Sequence, residues 1–463
     1  MADLNSVKVV EVCKVAPQPS TPDSSAIPES LPLTLFDLLW LRFAPVQRLF
    51  FYEINNPNSS DTNFTHSTLI PKLKTSLSLT LQQFLPLAGN VIWPKESPKP
   101  ILRYVRGDGV LLTIAESDND FHHIVSSNSF NIEAKEYHPL IPQMPVSHEK
   151  AAAIALQITI FPNRGFCIGT SMHHAILDGK TSTMFVKTWA HICKHEDSNL
   201  LPEQLKPFFD RSVIKDPANL EEIYANQFRN MDRPDNRSLM FSKFKVLAPG
   251  SICDTFVFTR ENIEALRQLV KEKKQQHGHQ SVQHLSTFCL TCAYIWICLI
   301  KAEEMQAKNA VMGFTVDARS RLDPPIPTNY VGNCLVLRLA VAETKALLGG
   351  EGLVVAVDAI SEAVKSLDDG ALNGAEDWIP LLYSVGTDES VFSTAGSPRF
   401  EIYDTDFGWG RPKKVEIVSI EGTGAMSISE SKDGAGGLDI GLVMKKHHME
   451  IFASLFAKGL ENL

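Results

Sequence analysis

The chain has 463 residues, with 44 Lys and Arg against 53 Asp and Glu, and a formal net charge of −9. This length exceeds what one hydrophobic core usually supports, so we expect two domains. No block of like charges stands out, so neither nucleic acid nor an anionic membrane is an expected partner.

The first predicted element is a strand from Val7 to Val15, followed by a connection rich in Pro and Ser from Ala16 to Pro32. The residues before the strand have no basic start followed by a long apolar segment. We therefore predict no secretory signal and a cytoplasmic location. The eight cysteines form no recognisable zinc pattern, so we expect reduced thiols and no metal site.

A histidine and an aspartate four residues apart form the first functional motif. The run from Ala151 to Thr170 predicts two strands joined by a turn at 162–165, and it brings His174 to the point where the sheet gives way to a loop. Imidazole titrates near neutrality, so His174 can accept a proton from a hydroxyl and return it to a leaving group. Asp178 can orient this base or brace the loop. On spacing alone, a packed or surface histidine is the commoner alternative.

Beyond this motif, apolar residues at helical spacing predict a helix from Lys180 to His195. From Glu196 to about Ala248 the sequence is acidic and contains prolines, which predicts an irregular linker. The second half is predicted to hold helices at 261–274, 286–302 and 353–366, a strand at 311–316 and a last helix that ends near residue 460. The apolar run inside the second of these helices is about a dozen residues long, too short to span a bilayer.

The second motif, Asp406-Phe407-Gly408-Trp409-Gly410, lies in the last part of the chain. Two glycines that flank a tryptophan are typical of a tight turn with an unusual backbone conformation. Alone, the motif fits a buried aromatic turn equally well.

Together and in this order, the two motifs resemble the BAHD family of plant acyl-CoA-dependent acyltransferases. The resemblance covers nearly the whole chain and extends to the segments 73–78, 84–90, 285–288 and 317–322. The segments 33–43, 46–53 and 329–334 resemble one branch of the family, the flavonoid and anthocyanin (phenolic glucoside) malonyltransferases. Val331 departs from that branch, whose signature is Tyr-Phe-Gly-Asn-Cys.

The resemblance implies an α/β fold of two chloramphenicol-acetyltransferase-like domains, each a mixed sheet flanked by helices, with a channel between them. We predict an N-terminal domain at 1–195, a crossover linker at 196–248 and a C-terminal domain at 249–463. Donor and acceptor would enter the channel from opposite faces and meet at His174. Both half-sites come from one chain, so we expect a monomer.

The implied reaction moves malonyl from malonyl-CoA to a sugar hydroxyl of a phenolic or flavonoid glucoside, in a ternary complex and without a permanently bound cofactor. His174 would be the general base. In the family the motif aspartate pairs with an arginine, so the resemblance implies a structural pair of Asp178 and Arg319. It also implies that Asp406, Gly408, Trp409 and Gly410 shape the CoA side of the site.

Two further groups of residues are candidates for binding the donor. Ser286 and Thr287 stand where a helix opens and can contact CoA, because such hydroxyls bind anions; an ordinary N-cap is the alternative. A malonyl group carries a free carboxylate, which favours a cation in the channel. Lys180, Arg42 and Arg399 are the cations within the family motifs, and sequence does not choose among them.

Three other interpretations stay open at this point. The first keeps the chemistry but uses a hydroxycinnamoyl or acetyl thioester. The second is a non-catalytic relative that binds a glucoside or a partner protein. The third is a metal-dependent hydrolase built on His173, His174 and Asp178, which is disfavoured because adjacent residues of an extended segment face opposite ways.

Overall fold

The structure, a computed structural model, describes residues 7–19, 27–54, 65–126, 132–198, 200–242, 248–276, 285–385, 390–434 and 436–463. Within these ranges the strands form two six-stranded sheets and one four-stranded sheet. The strands are β1 (Val7–Val15), β2 (Ser30–Pro32), β3 (Val46–Glu53), β4 (Asn90–Ile92), β5 (Ile101–Arg103), β6 (Val110–Ser117), β7 (Lys150–Ala152), β8 (Ile154–Phe161), β9 (Gly165–Met172), β10 (Ser251–Phe258), β11 (Asn309–Asp317), β12 (Leu335–Glu343), β13 (Val391–Ala395), β14 (Lys414–Ile417), β15 (Ala425–Glu430) and β16 (Leu438–Lys445).

Helices cover these sheets and connect their strands. The α-helices are α1 (Leu35–Leu38), α2 (Ile70–Gln83), α3 (Phe121–Val125), α4 (Gly179–His195), α5 (Leu220–Asn230), α6 (Arg260–Gln276), α7 (Thr287–Ala302), α8 (Thr344–Leu347), α9 (Gly352–Lys365), α10 (Trp378–Val385), α11 (Ile420–Thr423) and α12 (Lys446–Glu461). In the described part of the chain, no helix combines the length and hydrophobicity needed to cross a membrane.

Each large sheet mixes parallel and antiparallel strand pairs. The first has the order β1-β6-β8-β9-β3-β14, with β6 and β8 parallel. The second has the order β10-β16-β15-β13-β11-β12, with β13 parallel to both of its neighbours. This architecture of two mixed sheets with packed helices confirms the predicted α/β fold class.

The strands that lead to the first motif are buried along their whole length. Every residue of β8 and β9 is buried, which explains why their sequences read as nearly continuous apolar runs rather than alternating ones. Asn163, in the left-handed region at φ 61°, makes the tight turn between them. The buried hairpin therefore gives a rigid support to the loop that follows β9.

Residues 196–248 differ from the predicted irregular linker. This segment contains α5, in which Leu220, Tyr224 and Phe228 follow one another at four-residue spacing and are all buried in the core of the N-terminal half. The amphipathic stripe stabilises a helix despite the prolines on either side.

The two halves of the chain also exchange structure. β14, from the second half, pairs with β3 at the edge of the first sheet. Residues of 318–337 and 367–382 likewise join the hydrophobic core of the first half. The domain boundaries at 195/196 and 248/249 remain predictions.

All eight cysteines are free, and every one except Cys13 is buried. Among the described residues, no group of three or more His, Cys, Asp or Glu side chains is placed to hold a metal ion.

Candidate active site

His174 lies in the loop between β9 and α4. The N–H of His173 donates to the carbonyl of Ala153 (2.9 Å), which ties this loop to the residue before β8. His174 lines a cavity of about 1360 Å³. Both halves contribute to the cavity wall, with Trp40 and Arg48 from the first half and Ser286, Thr315 and Ser419 from the second.

Aromatic side chains hold the imidazole of His174. Trp40 stacks on it, with ring centroids 4.1 Å apart and planes 8° from parallel, and Phe43 meets it edge-on at 5.5 Å. Nδ1 is buried and accepts or donates no hydrogen bond among the described residues. Because the residue is partly exposed to the cavity, Nε2 is the nitrogen that can meet a substrate.

The electrostatic surroundings of His174 keep it neutral. Burial lowers its pKa to about 4, although the charge of Asp178 opposes this shift. A neutral imidazole can accept a proton at neutral pH, which a general base requires. His173, in contrast, is fully buried, and its Nδ1 accepts the N–H of Ala175 (3.3 Å).

Asp178 uses its carboxylate to organise the protein. Oδ1 accepts the N–H of Thr181 (2.8 Å) and so caps α4. Oδ2 lies 2.8 Å from Nη1 of Arg319 and accepts the N–H of Cys334 (3.3 Å). Asp178 and Arg319 are 0% and 2% exposed. No hydrogen bond joins Asp178 to His174 among the described residues, so this geometry braces the loop that carries the base.

The segment 329–334 connects the base to a buried carboxylate. The backbone N–H and the side-chain amide of Asn333 donate to Oδ1 of Asp37 at 2.8 and 3.1 Å. The same amide nitrogen donates to the carbonyl of His174 at 2.8 Å. Val331, the residue that departs from the branch signature, is fully buried. Asn333 thus links the backbone of the base to α1.

The second motif forms a turn away from the cavity wall. Oδ1 of Asp406 accepts the N–H groups of Gly408 (2.8 Å) and Gly410 (2.9 Å), whose φ angles are 103° and 98°. Oδ2 pairs with Lys194 of α4 at 2.7 Å. None of residues 406–410 belongs to the cavity wall. Through this ion pair the motif attaches the second half of the chain to α4. Trp409, within the motif, packs edge-on against the ring of Phe166 on β9.

Ser286 and Thr287 line the cavity at the beginning of α7. The hydroxyl of Ser286 accepts the N–H of Cys289 (3.1 Å), so this side chain is an N-cap. The hydroxyl of Thr287 accepts a hydrogen bond from Arg267 (3.3 Å), which also lines the cavity. Sequence reasoning missed Arg267, although a cation beside a helix N-terminus is a favourable arrangement for a phosphate.

The three predicted malonyl cations lie in different surroundings. Lys180 lines the cavity, is partly exposed and lies 3.4 Å from Asp317. Arg399 lines the cavity and is exposed. Arg42 is buried outside the cavity wall, where it donates to the carbonyls of residues 236 and 238 at 2.8 and 2.9 Å.

A sequence model of the Transferase family matches residues 10–458. The chain belongs to this family, the BAHD acyltransferases. It is therefore an acyltransferase, as the motifs predicted.

Two relatives of this BAHD acyltransferase come from Arabidopsis thaliana. Phenolic glucoside malonyltransferase 1 is 39% identical over 471 residues, which cover 99% of this chain and 98% of the relative. Malonyl-CoA:anthocyanidin 5-O-glucoside-6''-O-malonyltransferase is 40% identical over 473 residues, which cover both chains completely. Among solved structures, vinorine synthase matches 97% of this chain and 98% of its own, with a TM-score of 0.69 and 20% identity. That likeness supports the fold.

Besides Arg267, three further residues of the BAHD site were missed by sequence reasoning as site residues. Trp40, Asn333 and Arg48 all lie in segments that resemble the family, yet nothing in their spacing points to His174. Trp40 and Arg48 precede the base by more than 120 residues, and Asn333 follows it by 159. Only the pairing of β3 with β9, together with the return of the segment 329–334, brings them to the base.

Proposed function

We propose that the chain transfers malonyl from malonyl-CoA to a sugar hydroxyl of a phenolic or flavonoid glucoside. The observation that carries this proposal is the position of His174, a neutral imidazole held by Trp40 on the wall of a cavity that both halves build. The malonyltransferase relatives, which align along the whole chain, support the donor and the acceptor class.

His174 acts as the general base of a direct transfer. Its Nε2 takes the proton of the sugar hydroxyl as the oxygen attacks the thioester carbonyl. When the tetrahedral intermediate collapses, the carbon–sulfur bond breaks and the imidazolium gives its proton to the departing thiolate. The products are the malonylated glucoside and free CoA, and no acyl-enzyme forms.

The size of the cavity supports a ternary complex. Its volume of about 1360 Å³ exceeds the range of about 300–1,000 Å³ that is usual for a site that holds one small ligand. CoA binds on the side of Ser286 and Thr287, where Arg267 and the N-terminus of α7 favour phosphate. CoA is a co-substrate, and the proposal includes no permanently bound cofactor.

The other predicted residues have supporting roles in this proposal. Asp178 and Arg319 brace the loop of the base, and Asp406 to Gly410 shape the CoA side through α4. The proposal includes a cytoplasmic monomer, since the two halves of one chain both contribute to the cavity wall.

The test is thiol release from malonyl-, acetyl-, p-coumaroyl- and caffeoyl-CoA with a panel of flavonoid and simple phenolic glucosides. We expect release that depends on both malonyl-CoA and a glucoside, and that is lost in His174→Ala. Faster transfer from an aromatic or acetyl donor would replace malonyl in the proposal. No acceptor-dependent release with any donor would leave a glucoside-binding role, which glucoside titration of the same protein would measure.

A further inference from the structure

Arg48 is a buried cation in the wall of the cavity. Arg48 lies on β3 and is 4% exposed. The Cζ atom of its guanidinium lies 6.0 Å from the centroid of the Phe400 ring. Nη1 donates to the hydroxyl of Thr183 at 2.8 Å. Nε is buried without an acceptor among the described residues, and Nη2 has no acceptor among them either. Most of the hydrogen-bonding capacity of this side chain is thus unused.

The charge of Arg48 also lacks a partner. Among the described residues Arg48 forms no ion pair within 4 Å, and the carboxylates of Asp178 and Glu430 act on its charge only from a greater distance. Burial lowers the pKa of Arg48 to about 10, so the guanidinium is still protonated at neutral pH. A buried charge without a close counter-ion is unfavourable, because only the hydroxyl of Thr183 replaces the water that the guanidinium loses. An anion that enters the cavity would supply the missing partner and the missing acceptors.

The other cations of the described cavity wall are satisfied or solvated. Arg319 is buried but paired with Asp178, and Arg399 is exposed to solvent. Ion pairs engage the rest, namely Lys180 with Asp317, Lys187 with Glu401, Arg267 with Glu264 and Arg321 with Asp368. Of the cations on the described cavity wall, Arg48 is therefore the one that is both buried and without an ion pair, whereas Arg42, which is also buried, lies outside that wall.

Arg48 lies beside the base rather than at the α7 end of the cavity. In the antiparallel pairing of β3 with β9, it is opposite Thr170, and β9 ends two residues before His174. Thr183, its hydrogen-bond partner, is on the first turns of α4, directly after the loop of the base. The part of a donor that reaches this depth is the acyl group, because its carbonyl must lie next to His174.

We propose that Arg48 binds the free carboxylate of the acyl group and thereby selects a dicarboxylic acyl donor such as malonyl-CoA. This inference rests on the proposed function and names the residue that recognises the carboxylate of the donor. A guanidinium with Nε and Nη2 unused can bind a carboxylate through two parallel hydrogen bonds, which a lysine cannot do. Acetyl-CoA, which lacks the carboxylate, leaves the cation unpaired.

The experiment compares kcat/KM for malonyl-CoA and acetyl-CoA with one glucoside in the wild-type chain and in Arg48→Gln. We expect kcat/KM for malonyl-CoA to fall about 100-fold in the variant, as the loss of charged hydrogen bonds does, while kcat/KM for acetyl-CoA stays within about threefold. Arg321→Gln is the matched control, because it removes the same charge from a solvated place on the wall, and the donor ratio should not change. An equal fall for both donors, or an unchanged ratio, overturns the proposal.

Two further arms keep the result interpretable. If Arg48→Gln does not fold, Arg48→Lys retains the charge but loses the paired donors, and the donor ratio should fall about tenfold; an unchanged ratio again overturns the proposal. Titration of malonyl-CoA and acetyl-CoA into the full chain carrying His174→Ala separates binding from turnover. Tighter binding of malonyl-CoA that disappears with Arg48→Gln supports Arg48 even if the proposed transfer fails, and equal binding of the two donors overturns it.

Discussion

Loss of the buried pair of Asp178 and Arg319 should lower the free energy of unfolding more than it lowers the rate of the reaction. The two single variants should differ in how much of this free energy they lose. Breaking a buried ion pair costs about 3–5 kcal/mol, since one charge stays unpaired. In Asp178→Ser the hydroxyl can still cap α4, and Arg319 keeps Asp317 at 2.9 Å. We therefore expect a loss of about 3 kcal/mol. In Arg319→Met the carboxylate retains only the N–H groups of Thr181 and Cys334, so the loss should be about 5 kcal/mol.

Urea unfolding of the two single variants and of the double variant measures these costs. The double variant should lose less than the sum of the singles by about 2–3 kcal/mol, because it leaves no unpaired charge. The thiol-release assay, corrected for folded protein, should show residual turnover in Asp178→Ser. The reasoning fails if Asp178→Ser keeps wild-type stability and yet is as inactive as His174→Ala, because Asp178 would then take part in the reaction.

Four other predictions follow from the same structure. His174→Gln should abolish turnover while the urea midpoint stays near that of the wild type. Since burial lowers the pKa of His174 to about 4, the base is lost only as pH falls toward 4, and the acid limb of kcat/KM should lie near pH 4–5 rather than near 6.5. Burial also lowers the pKa of His173 to about 3. Below pH 6.5 the unfolded chain binds a proton at this histidine and the folded chain does not, so the free energy of unfolding falls with pH. Between pH 6.5 and 4.5 the wild type should therefore lose about 2–3 kcal/mol more of this free energy than His173→Asn. Gly410→Ala should lower the unfolding free energy by about 1–3 kcal/mol, because alanine is strained at φ 98°. The added methyl group meets no neighbouring atom, so backbone strain alone causes this loss.

The elements that the sequence predicts well are those whose side chains repeat with a clear period. β1 spans the predicted residues, and the helix from Lys180 to His195 begins one residue earlier, at Gly179. In the segment 196–248 the prolines and acidic residues predict irregular structure and outweigh the stripe that forms α5, because that stripe is only three residues at four-residue spacing. The pairing of β14 with β3 joins residues more than 360 positions apart, and no local period reports such a contact.

The candidate site divides in the same way. His174 and Asp178 are four residues apart, so one short motif reveals both. The ring of Trp40, the amide of Asn333 and the guanidinium of Arg48 reach His174 or its cavity only after distant strands have paired. From sequence, candidate cations for the malonyl carboxylate can be selected only by the motifs in which they lie. Their ion-pair partners are not visible in the sequence. Burial and the lack of a close ion pair among the described residues are properties of the folded chain. Burial distinguishes Arg48 from Arg399, and the lack of an ion pair distinguishes it from Arg319.

The unpaired charge of Arg48 also bears on the strength of the base. Burial is the main cause that lowers the pKa of His174, and the nearby positive charge of Arg48 lowers it further. A base with a pKa of about 4 is neutral at pH 7 but takes up a proton weakly. A donor carboxylate bound to Arg48 would cancel that positive charge and raise the pKa of His174 slightly, because burial, the largest cause of the shift, remains. The cation that selects the donor would then make His174 a slightly stronger base when that donor is bound, whereas acetyl-CoA would leave the pKa of His174 as it is in the empty site.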